Sequence, residues 1–483
     1  MMITTRGFAL TLAALLLPCF AEAQQMIHYR LEYSPRSGSR VHVSLTPSEP
    51  VRAPASFVMP RNYPGGYNLV LYDSFLEDIH ATSANGKTIG VQKDEFGPRW
   101  RIGESGDSFA AIEYWIDLRR MEQELHSAVD SSKARPGYLG ILGYSVFGYL
   151  DGLQDKQVDL RVDAAQDWSI LTSLSPALPA PKGKASAKAP NYYALADSQV
   201  LAGPDLQLRF LPGKIPLILA VYAEGEDDAA LEGRVAREAL DKVQAYFGDV
   251  PFPQYTVQLE LLHPLEGHEY DFSQEHLDSG TFSLSATEAI TARSIARRRS
   301  VALFNYAHHI AHCWIPKRAY GVGYLPFNWE MPPVIDTVWF NEGFARYAAI
   351  EALVEGMSET DGEAFRSRQL ATLRMVVDNA HDSIRQMPLL VLSREASFMY
   401  SLDFRIGRNA YARGALMAAE IDDRIRVKTN GTKSLRDALR FLLRWTQQNQ
   451  RPFEVEELPK IFAEATGVDV HDIFIHWLNQ RNG

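Results

Sequence analysis

Residues 304–314, which read Phe-Asn-Tyr-Ala-His-His-Ile-Ala-His-Cys-Trp, contain the side chains best suited to chemistry. His308 and His312 are four positions apart, so a helix would place both imidazoles on one face, one turn apart. Residues 339–347, Trp-Phe-Asn-Glu-Gly-Phe-Ala-Arg-Tyr, add the carboxylate of Glu342. Two histidines and one glutamate leave one tetrahedral position open, which is the donor set of a catalytic zinc site.

The residue after the first histidine departs from the usual zinc-peptidase pattern. In the motif His-Glu-x-x-His the glutamate is the general base, and His309 stands in its place. That base takes a proton from the attacking water and gives it to the leaving amine, and losing a general base typically costs ~10²–10⁴-fold in rate. Beside a divalent cation, His309 would be a neutral, weak base. Because successive helix positions point about 100° apart, we do not expect His309 to join His308 and His312 as a ligand.

The histidine pair alone indicates a metal site only weakly, and residues 339–347 make the prediction more specific. With 13 histidines in 483 residues, a His-x-x-x-His pair arises by chance in about a third of such chains. Glu342 by itself would be a surface glutamate. The pattern Trp-x-x-Glu-Gly-Phe-x-x-Tyr, whose glutamate lies 30 residues beyond His312, makes a joint metal site the better interpretation.

These segments resemble the gluzincin metallopeptidases, and among them most closely the glycyl aminopeptidase family. The similar stretches extend over most of the chain: residues 59–67 (Met-Pro-Arg-Asn-Tyr-Pro-Gly-Gly-Tyr), 308–314, 317–318 (Lys-Arg), 326–330 (Pro-Phe-Asn-Trp-Glu), 339–347 and 411–416 (Tyr-Ala-Arg-Gly-Ala-Leu). The resemblance implies Zn²⁺ as cofactor, with His308, His312 and Glu342 as its ligands. It also implies short peptides with small N-terminal residues as substrates.

The resemblance also assigns roles near the substrate. Tyr411 would stabilise the oxyanion, as a donor aimed where negative charge develops, although a packed core tyrosine is the alternative. Glu275-His276, in Ser-Gln-Glu-His-Leu-Asp-Ser, resembles the family's Gly-Gly-x-Glu-His-x-x-Ser. Glu275 would then hold the free α-amino group of the substrate, although an isolated glutamate is usually solvated. Phe272 and Ser273 replace the paired glycines, so the backbone approaches a substrate less freely.

Composition places the chain among ordinary globular proteins. It has 483 residues, of which 46% are hydrophobic and 22% charged, and its net charge of −10 argues against a nucleic-acid partner. Residues 1–23 have a basic start, a short apolar run and an Ala-Glu-Ala cleavage site, which predicts a signal peptide and a secreted or periplasmic protein. We expect no membrane span after its removal. Cys313 would then be the single cysteine, so no internal disulfide is expected.

The hydrophobic pattern predicts an α+β multidomain protein. Apolar residues alternate within residues 24–224, as at Ile27, Tyr29 and Leu31, which favours a β-sandwich-like domain. Residues 225–400 are expected to form a thermolysin-like (gluzincin) core, with helices over residues 294–314 and 337–354. Residues 401–483 are mostly helical in pattern, and we expect no counterpart of the PDZ domain usual in the glycyl aminopeptidases.

Three functions fit the sequence. One is a zinc aminopeptidase in which His309, Glu275 or Glu330 replaces the missing base. Another is a catalytically impaired pseudo-peptidase that binds peptides in the periplasm, and the third is a structural protein without metal. The ligand set and Tyr411 favour the first two, while His309 favours the pseudo-peptidase over the enzyme. The oligomeric state stays open.

Overall fold

A computed structural model describes residues 25–479 apart from Ser401, and the predicted signal peptide lies outside these residues. The described chain has a β-rich N-terminal part, a five-stranded sheet and a helical C-terminal part. None of the helices in the described part is long and apolar enough to cross a bilayer.

The described N-terminal part contains 17 short strands, three short α-helices and two 3₁₀-helices. In chain order the strands are β1 (Met26–Glu32), β2 (Arg40–Pro47), β3 (Val51–Arg52), β4 (Ala55–Val58), β5 (Leu76–Thr82), β6 (Thr88–Ile89), β7 (Val91–Lys93), β8 (Arg99–Ile102), β9 (Ser108–Phe109), β10 (Ala111–Asp117), β11 (Lys133–Arg135), β12 (Tyr138–Leu142), β13 (Tyr149–Leu150), β14 (Gln157–Asp163), β15 (Ser169–Thr172), β16 (Lys184–Ala189) and β17 (Gln199–Gly203). The α-helices are α1 (Leu118–Glu124), α2 (Gly143–Val146) and α3 (Tyr192–Ala196).

The strands form one large sheet and three smaller ones. The large sheet has the order β16-β14-β1-β2-β10-β5-β6, and β12 and β4 lie in two separate four-stranded sheets. The alternation seen in the sequence sets the register of the large sheet, because Tyr29 pairs with Leu45 and Leu31 with Val43 across β1 and β2. All four side chains are buried. One face of this sheet therefore packs on the core, as the period-2 pattern requires.

A five-stranded sheet, called the second sheet below, contributes Glu275 to the candidate site. It contains β18 (Gln207–Leu211), β19 (Leu217–Ala223), β20 (Tyr255–Leu262), β21 (Asp271–Glu275) and β22 (Ser279–Ser285), in the order β18-β19-β20-β22-β21. Strands β19, β20 and β22 are parallel, and β21 is an antiparallel edge strand. Sequence analysis placed residues up to 224 in the N-terminal domain. In the structure β18 and β19 instead hydrogen-bond into this second sheet, because β19 supplies the parallel neighbour of β20.

Ten α-helices and one π-helix surround and extend this sheet in the described chain. They are α4 (Ala229–Phe247), α5 (Ala296–Ala311), the π-helix Trp339–Phe344, α6 (Ala345–Val354), α7 (Glu359–Asp378), α8 (Asp382–Arg385), α9 (Leu389–Met399), α10 (Phe404–Lys428), α11 (Leu435–Asn449), α12 (Leu458–Thr466) and α13 (His471–Asn479). The expected single helix over residues 337–354 is thus divided into a π-helical and an α-helical part. The expected helix over residues 294–314 is shorter, since α5 ends just before His312.

The N-terminal part packs directly on the second sheet and its helices. Asp197, at the end of α3, accepts hydrogen bonds from His276 and Lys317, and all three side chains are buried. Residues 59–70 extend from the N-terminal part toward α5 and the π-helix, where Asn341 donates to the hydroxyl of Tyr67 at 3.0 Å. These contacts hold both parts against the region where the predicted site residues meet.

Candidate active site

His308, His312 and Glu342 converge on one point. The Nε2 atoms of His308 and His312 are 3.3 Å apart. Oε2 of Glu342 lies 3.8 Å from the first and 3.5 Å from the second. Two ligands at about 2.0–2.1 Å from a tetrahedral zinc ion are about 3.3 Å apart, so the donor atoms are spaced as such an ion requires. The last turn of α5 supplies His308, the residue that caps this helix is His312, and the π-helix supplies the carboxylate.

The surroundings of the ligands also fit a metal ion. Nδ1 of His312 lies 3.0 Å from the carbonyl oxygen of Ile315, so this nitrogen carries the proton and Nε2 keeps its lone pair. Burial and the neighbouring histidines lower the pKa of His308 well below its usual value, which favours the neutral form that binds metal. Burial also lowers the pKa of His312, but Glu275 and Glu342 outweigh burial and raise it to about 9. The cluster therefore attracts positive charge.

A second set of donors overlaps the first. Glu275, His309 and His312 also have ligand atoms within 4.8 Å of one another. Because Nδ1 of His312 is bonded to a carbonyl, both sets share its single free nitrogen, and only one can hold an ion at a time. His309 lies in this second set with His312, and only His308 is separated from it, although the angle between successive helix positions argued against His309 as a ligand.

His309 and Glu275 form a buried pair beside the ligands. Nδ1 of His309 lies 3.6 Å from Oε2 of Glu275. Burial raises the pKa of Glu275, but His312, His309 and Lys317 outweigh burial and lower it to about 2, so the carboxylate is anionic. Burial lowers the pKa of His309, and Glu275 offsets only part of this effect. At neutral pH the pair is a carboxylate facing a neutral imidazole, and the imidazole can accept a proton.

The π-helix sets the position of Glu342 through a close approach of two backbones. A Cβ atom on Gly414 of α10 would lie 2.0 Å from the carbonyl oxygen of Trp339. A Cβ on Gly343 would lie 2.5 Å from the backbone nitrogen of Ala415. Only glycine at both positions lets α10 contact the π-helix this closely. Short π-helical segments inside α-helices are frequent at functional sites, and here one carries Glu342.

A cavity of about 410 Å³ opens next to these residues, a volume that suits a small organic ligand. Its lining includes His308, His309, Glu342 and Glu275 together with the phenol of Tyr411. Its aromatic walls are Tyr63, Phe272, Phe304, Tyr400 and Phe404. Phe272 stacks on Phe404 with ring centroids 5.7 Å apart, and both rings line the cavity.

Two residues singled out in the sequence lie elsewhere. His276 is fully buried, and its ring nitrogens face Asp197 at 3.1 Å and Thr281 at 3.2 Å, outside the cavity lining. Both nitrogens are thus occupied by the protein itself, which leaves no donor for a substrate. Glu330, considered as a replacement base, pairs through both oxygens with Arg99 in the N-terminal part.

Several residues of the cavity were not predicted from the sequence, and Arg346, Tyr400 and Gly65 are three of them. Arg346 lies four positions after Glu342, so helix periodicity would have placed it on the same face. Tyr400 carries no local signal. Gly65 comes from the N-terminal part, and a Cβ there would lie 2.1 Å from Oε1 of Glu275. Its φ of +92° is in the region that favours glycine, so the Gly65-Gly66 turn signal was the available hint.

Solved structures of peptidases have a similar architecture. An aminopeptidase N family protein from Idiomarina loihiensis superposes with a TM-score of 0.81 at 20% identity, covering 95% of this chain and 76% of that one. A variant of an M1 zinc metallopeptidase from Deinococcus radiodurans has a TM-score of 0.54 at 16% identity, covering 95% and 94%. The same variant bound to a Tyr-Ser-Ala substrate gives 0.54 at 18%, with the same coverage. The fold is therefore that of the M1-type, gluzincin-like aminopeptidases.

The N-terminal part adds a second similarity. Residues 28–204 match the Peptidase M61 N-terminal domain. None of the curated protein sequences compared with the chain matches it. The chain is thus similar to M61 peptidases over residues 28–204 and to M1-type peptidases in its overall architecture.

Proposed function

We propose that the protein is a zinc metallopeptidase of the aminopeptidase type, similar to the glycyl aminopeptidases, which acts on the N-terminal residues of short peptides. The observation that carries this proposal is the spacing of 3.3–3.8 Å among the donor atoms of His308, His312 and Glu342 at the wall of a peptide-sized cavity. The tripeptide bound by the Deinococcus radiodurans relative supports short peptides as ligands.

His308, His312 and Glu342 would hold the ion. When bound, Zn²⁺ supplies Lewis-acid polarisation of the scissile carbonyl and lowers the pKa of water. The free edge of β21 offers backbone hydrogen bonds to an extended peptide. Tyr411 lines the same cavity and would donate its hydroxyl proton to the oxygen that becomes negative during attack.

Glu275 can serve two partners because its oxygens have different surroundings. Oε2 faces His309, while Oε1 is buried and has no hydrogen-bond partner in the described structure. We infer that Oε1 accepts the substrate's ammonium group. Oε2 would orient His309 by accepting from Nδ1, so that its other nitrogen accepts the proton that glutamate takes in the usual motif.

A second candidate is a pseudo-peptidase that binds peptides without cleaving them. The specific observation in its favour is the identity of His309, because a neutral imidazole is a much weaker electrostatic partner for a developing cation than a carboxylate. The metal and the cavity would be retained in this alternative.

The experiment combines metal analysis with a gain-of-function substitution. We expect one zinc per wild-type chain and loss of zinc in His312→Ala. Hydrolysis of glycyl- and alanyl-arylamides is then compared between the wild type, His309→Glu and His309→Ala. If His309 acts as base, His309→Ala lowers kcat by about 10²-fold.

The outcomes separate the candidates. A large rise in kcat in His309→Glu, with no activity in the wild type, identifies the pseudo-peptidase. Peptide binding without cleavage by either form leads to the same conclusion. A purified protein that holds no zinc and binds no peptide contradicts both candidates and leaves the structural role.

A further inference from the structure

Arg346 is a cation in the cavity wall with no assigned role. It lies on α6, one helical turn after Glu342, and lines the same cavity. Its guanidinium carbon is 4.7 Å from the ring centroid of Phe304 and 5.0 Å from that of Tyr411. The two aromatic rings hold the guanidinium plane by stacking and cation–π contact.

Among the described residues this guanidinium forms no direct ion pair, and Glu342 of the same cavity acts on it only at a longer distance. Among the described residues no carboxylate lies within 4.0 Å of Arg346, and its buried Nε makes no hydrogen bond. By contrast, Arg61 and Arg135, which are also largely buried, each form a bidentate pair with a carboxylate. A cation withdrawn from water is costly unless an anion and hydrogen-bond acceptors meet it. The cavity is the space from which such an anion can come.

We propose that Arg346 binds a carboxylate of the peptide substrate, one or two residues beyond the scissile carbonyl. This inference rests on the proposed function, because the scissile carbonyl must lie near Glu342. The helix rises about 6 Å between positions 342 and 346, and one extended peptide residue spans about 3.3–3.6 Å. The planar guanidinium fork suits a carboxylate bound through two hydrogen bonds.

The two ends of the cavity then match a zwitterionic peptide. Glu275 presents an oxygen without a partner to the ammonium group, and Arg346 presents free N–H donors to the carboxylate. The substrates would be di- and tripeptides with a free C-terminus, or longer peptides with an acidic side chain at the same distance. A cavity of about 410 Å³ has room for such a ligand.

Calorimetric titration with matched peptides tests this inference on the zinc-loaded protein. Ala-Ala is compared with Ala-Ala amide, and Ala-Glu amide with Ala-Gln amide, so that the two pairs distinguish a terminal from a side-chain carboxylate. We expect the wild type to bind the acid of one pair about 10–100-fold more tightly than its neutral partner. Arg346→Gln should remove this preference, and Arg346→Lys should keep part of it because the charge remains.

Arg374→Gln is the matched control, since Arg374 is exposed on α7 and lies outside the cavity lining. Arg374→Gln should keep the full preference for the acid peptide over its neutral partner. Equal affinity of the wild type for acid and neutral peptides overturns the role of Arg346 and leaves the proposed function standing. A preference that survives in folded Arg346→Gln also overturns it. If no peptide binds or is cleaved, the proposed function fails and the inference with it.

Discussion

Tyr411 and Tyr400 both line the cavity, and only one needs to face the reacting oxygen. We expect Tyr411→Phe to lower kcat by about 10²–10³-fold, because it removes a donor aimed at the developing negative charge. Zinc content and peptide affinity should stay unchanged, since the phenyl ring keeps its packing. Steady-state kinetics in the more active of the wild type and His309→Glu, with Tyr400→Phe in parallel, checks this. A larger loss in Tyr400→Phe would transfer the oxyanion role to Tyr400.

His309 has a different significance once its contact with Glu275 is known. In the sequence, His309 stands where the usual motif has a glutamate. In the structure, His309 faces the carboxylate of Glu275, which comes from β21. The anionic charge near the cavity is therefore retained, but it comes from β21 instead of α5. Under the proposed function, His309 and Glu275 together would replace the usual glutamate.

At the scale of elements, the contact between α10 and the π-helix controls Glu342. Gly414→Ala should destabilise the protein by about 3 kcal/mol, because overpacking at 2.0 Å forces the two backbones apart. It should also weaken zinc binding, since the same backbone carries Glu342. Urea denaturation and a zinc-chelator competition measure the two effects. Gly225→Ala is the control, because its Cβ meets only ordinary contacts, and equal effects of both substitutions would contradict the prediction.

The packing of α4 against α5 contains a buried acid. Burial is the main cause that raises the pKa of Glu232, and the nearby Asp227 and Asp228 raise it as well. Hydrogen bonds from the backbone of Ile290 and the hydroxyl of Tyr306 lower it, and the net pKa is about 7. In the unfolded chain this group titrates near 4.5. Between these two pH values the unfolded state loses the proton first, so stability falls as pH rises, by about 3 kcal/mol in total.

Glu232→Gln should remove this dependence, because the amide does not titrate. The free energy of unfolding, measured in urea at pH 5 and pH 8, should then change less in the variant than in the wild type. Glu238→Gln, on the exposed side of α4, is the control. If the wild type and Glu232→Gln lose the same stability between pH 5 and pH 8, the raised pKa is refuted.

At the scale of the whole molecule, Asp197 joins the two parts of the chain. It accepts hydrogen bonds from His276, Lys317 and the backbone of Leu277. Asp197→Asn should destabilise the folded protein by about 3–5 kcal/mol, since it leaves the buried Lys317 without its counterion. Differential scanning calorimetry checks this against Asp205→Asn, which changes an exposed aspartate. Equal melting temperatures of the two variants would show that the contacts of Asp197 contribute little to the stability of the folded protein.

The N-terminal part also completes the cavity. Gly65, Gly66 and Tyr63 come from it, and they close the side that faces Glu275. The candidate site is therefore formed by the N-terminal part together with α5 and the π-helix. Removing the N-terminal part would open the cavity as well as expose the core beneath it.

Local sequence patterns predicted many of the strands and helices and indicated His308, His312 and Glu342 as candidate metal ligands. Period-2 and period-3.6 patterns depend on neighbouring residues, so they predicted the buried alternation of β1 and β2 and the buried face of α4, from Leu231 to Phe247. The spacing of His308 and His312 is likewise local. The tertiary structure alone decided the pairing of His309 with Glu275, the burial of His276 against Asp197, the π-helix that carries Glu342 and the unpaired Arg346. These depend on how distant segments pack, and no local pattern encodes contacts such as that between Trp339 and Gly414.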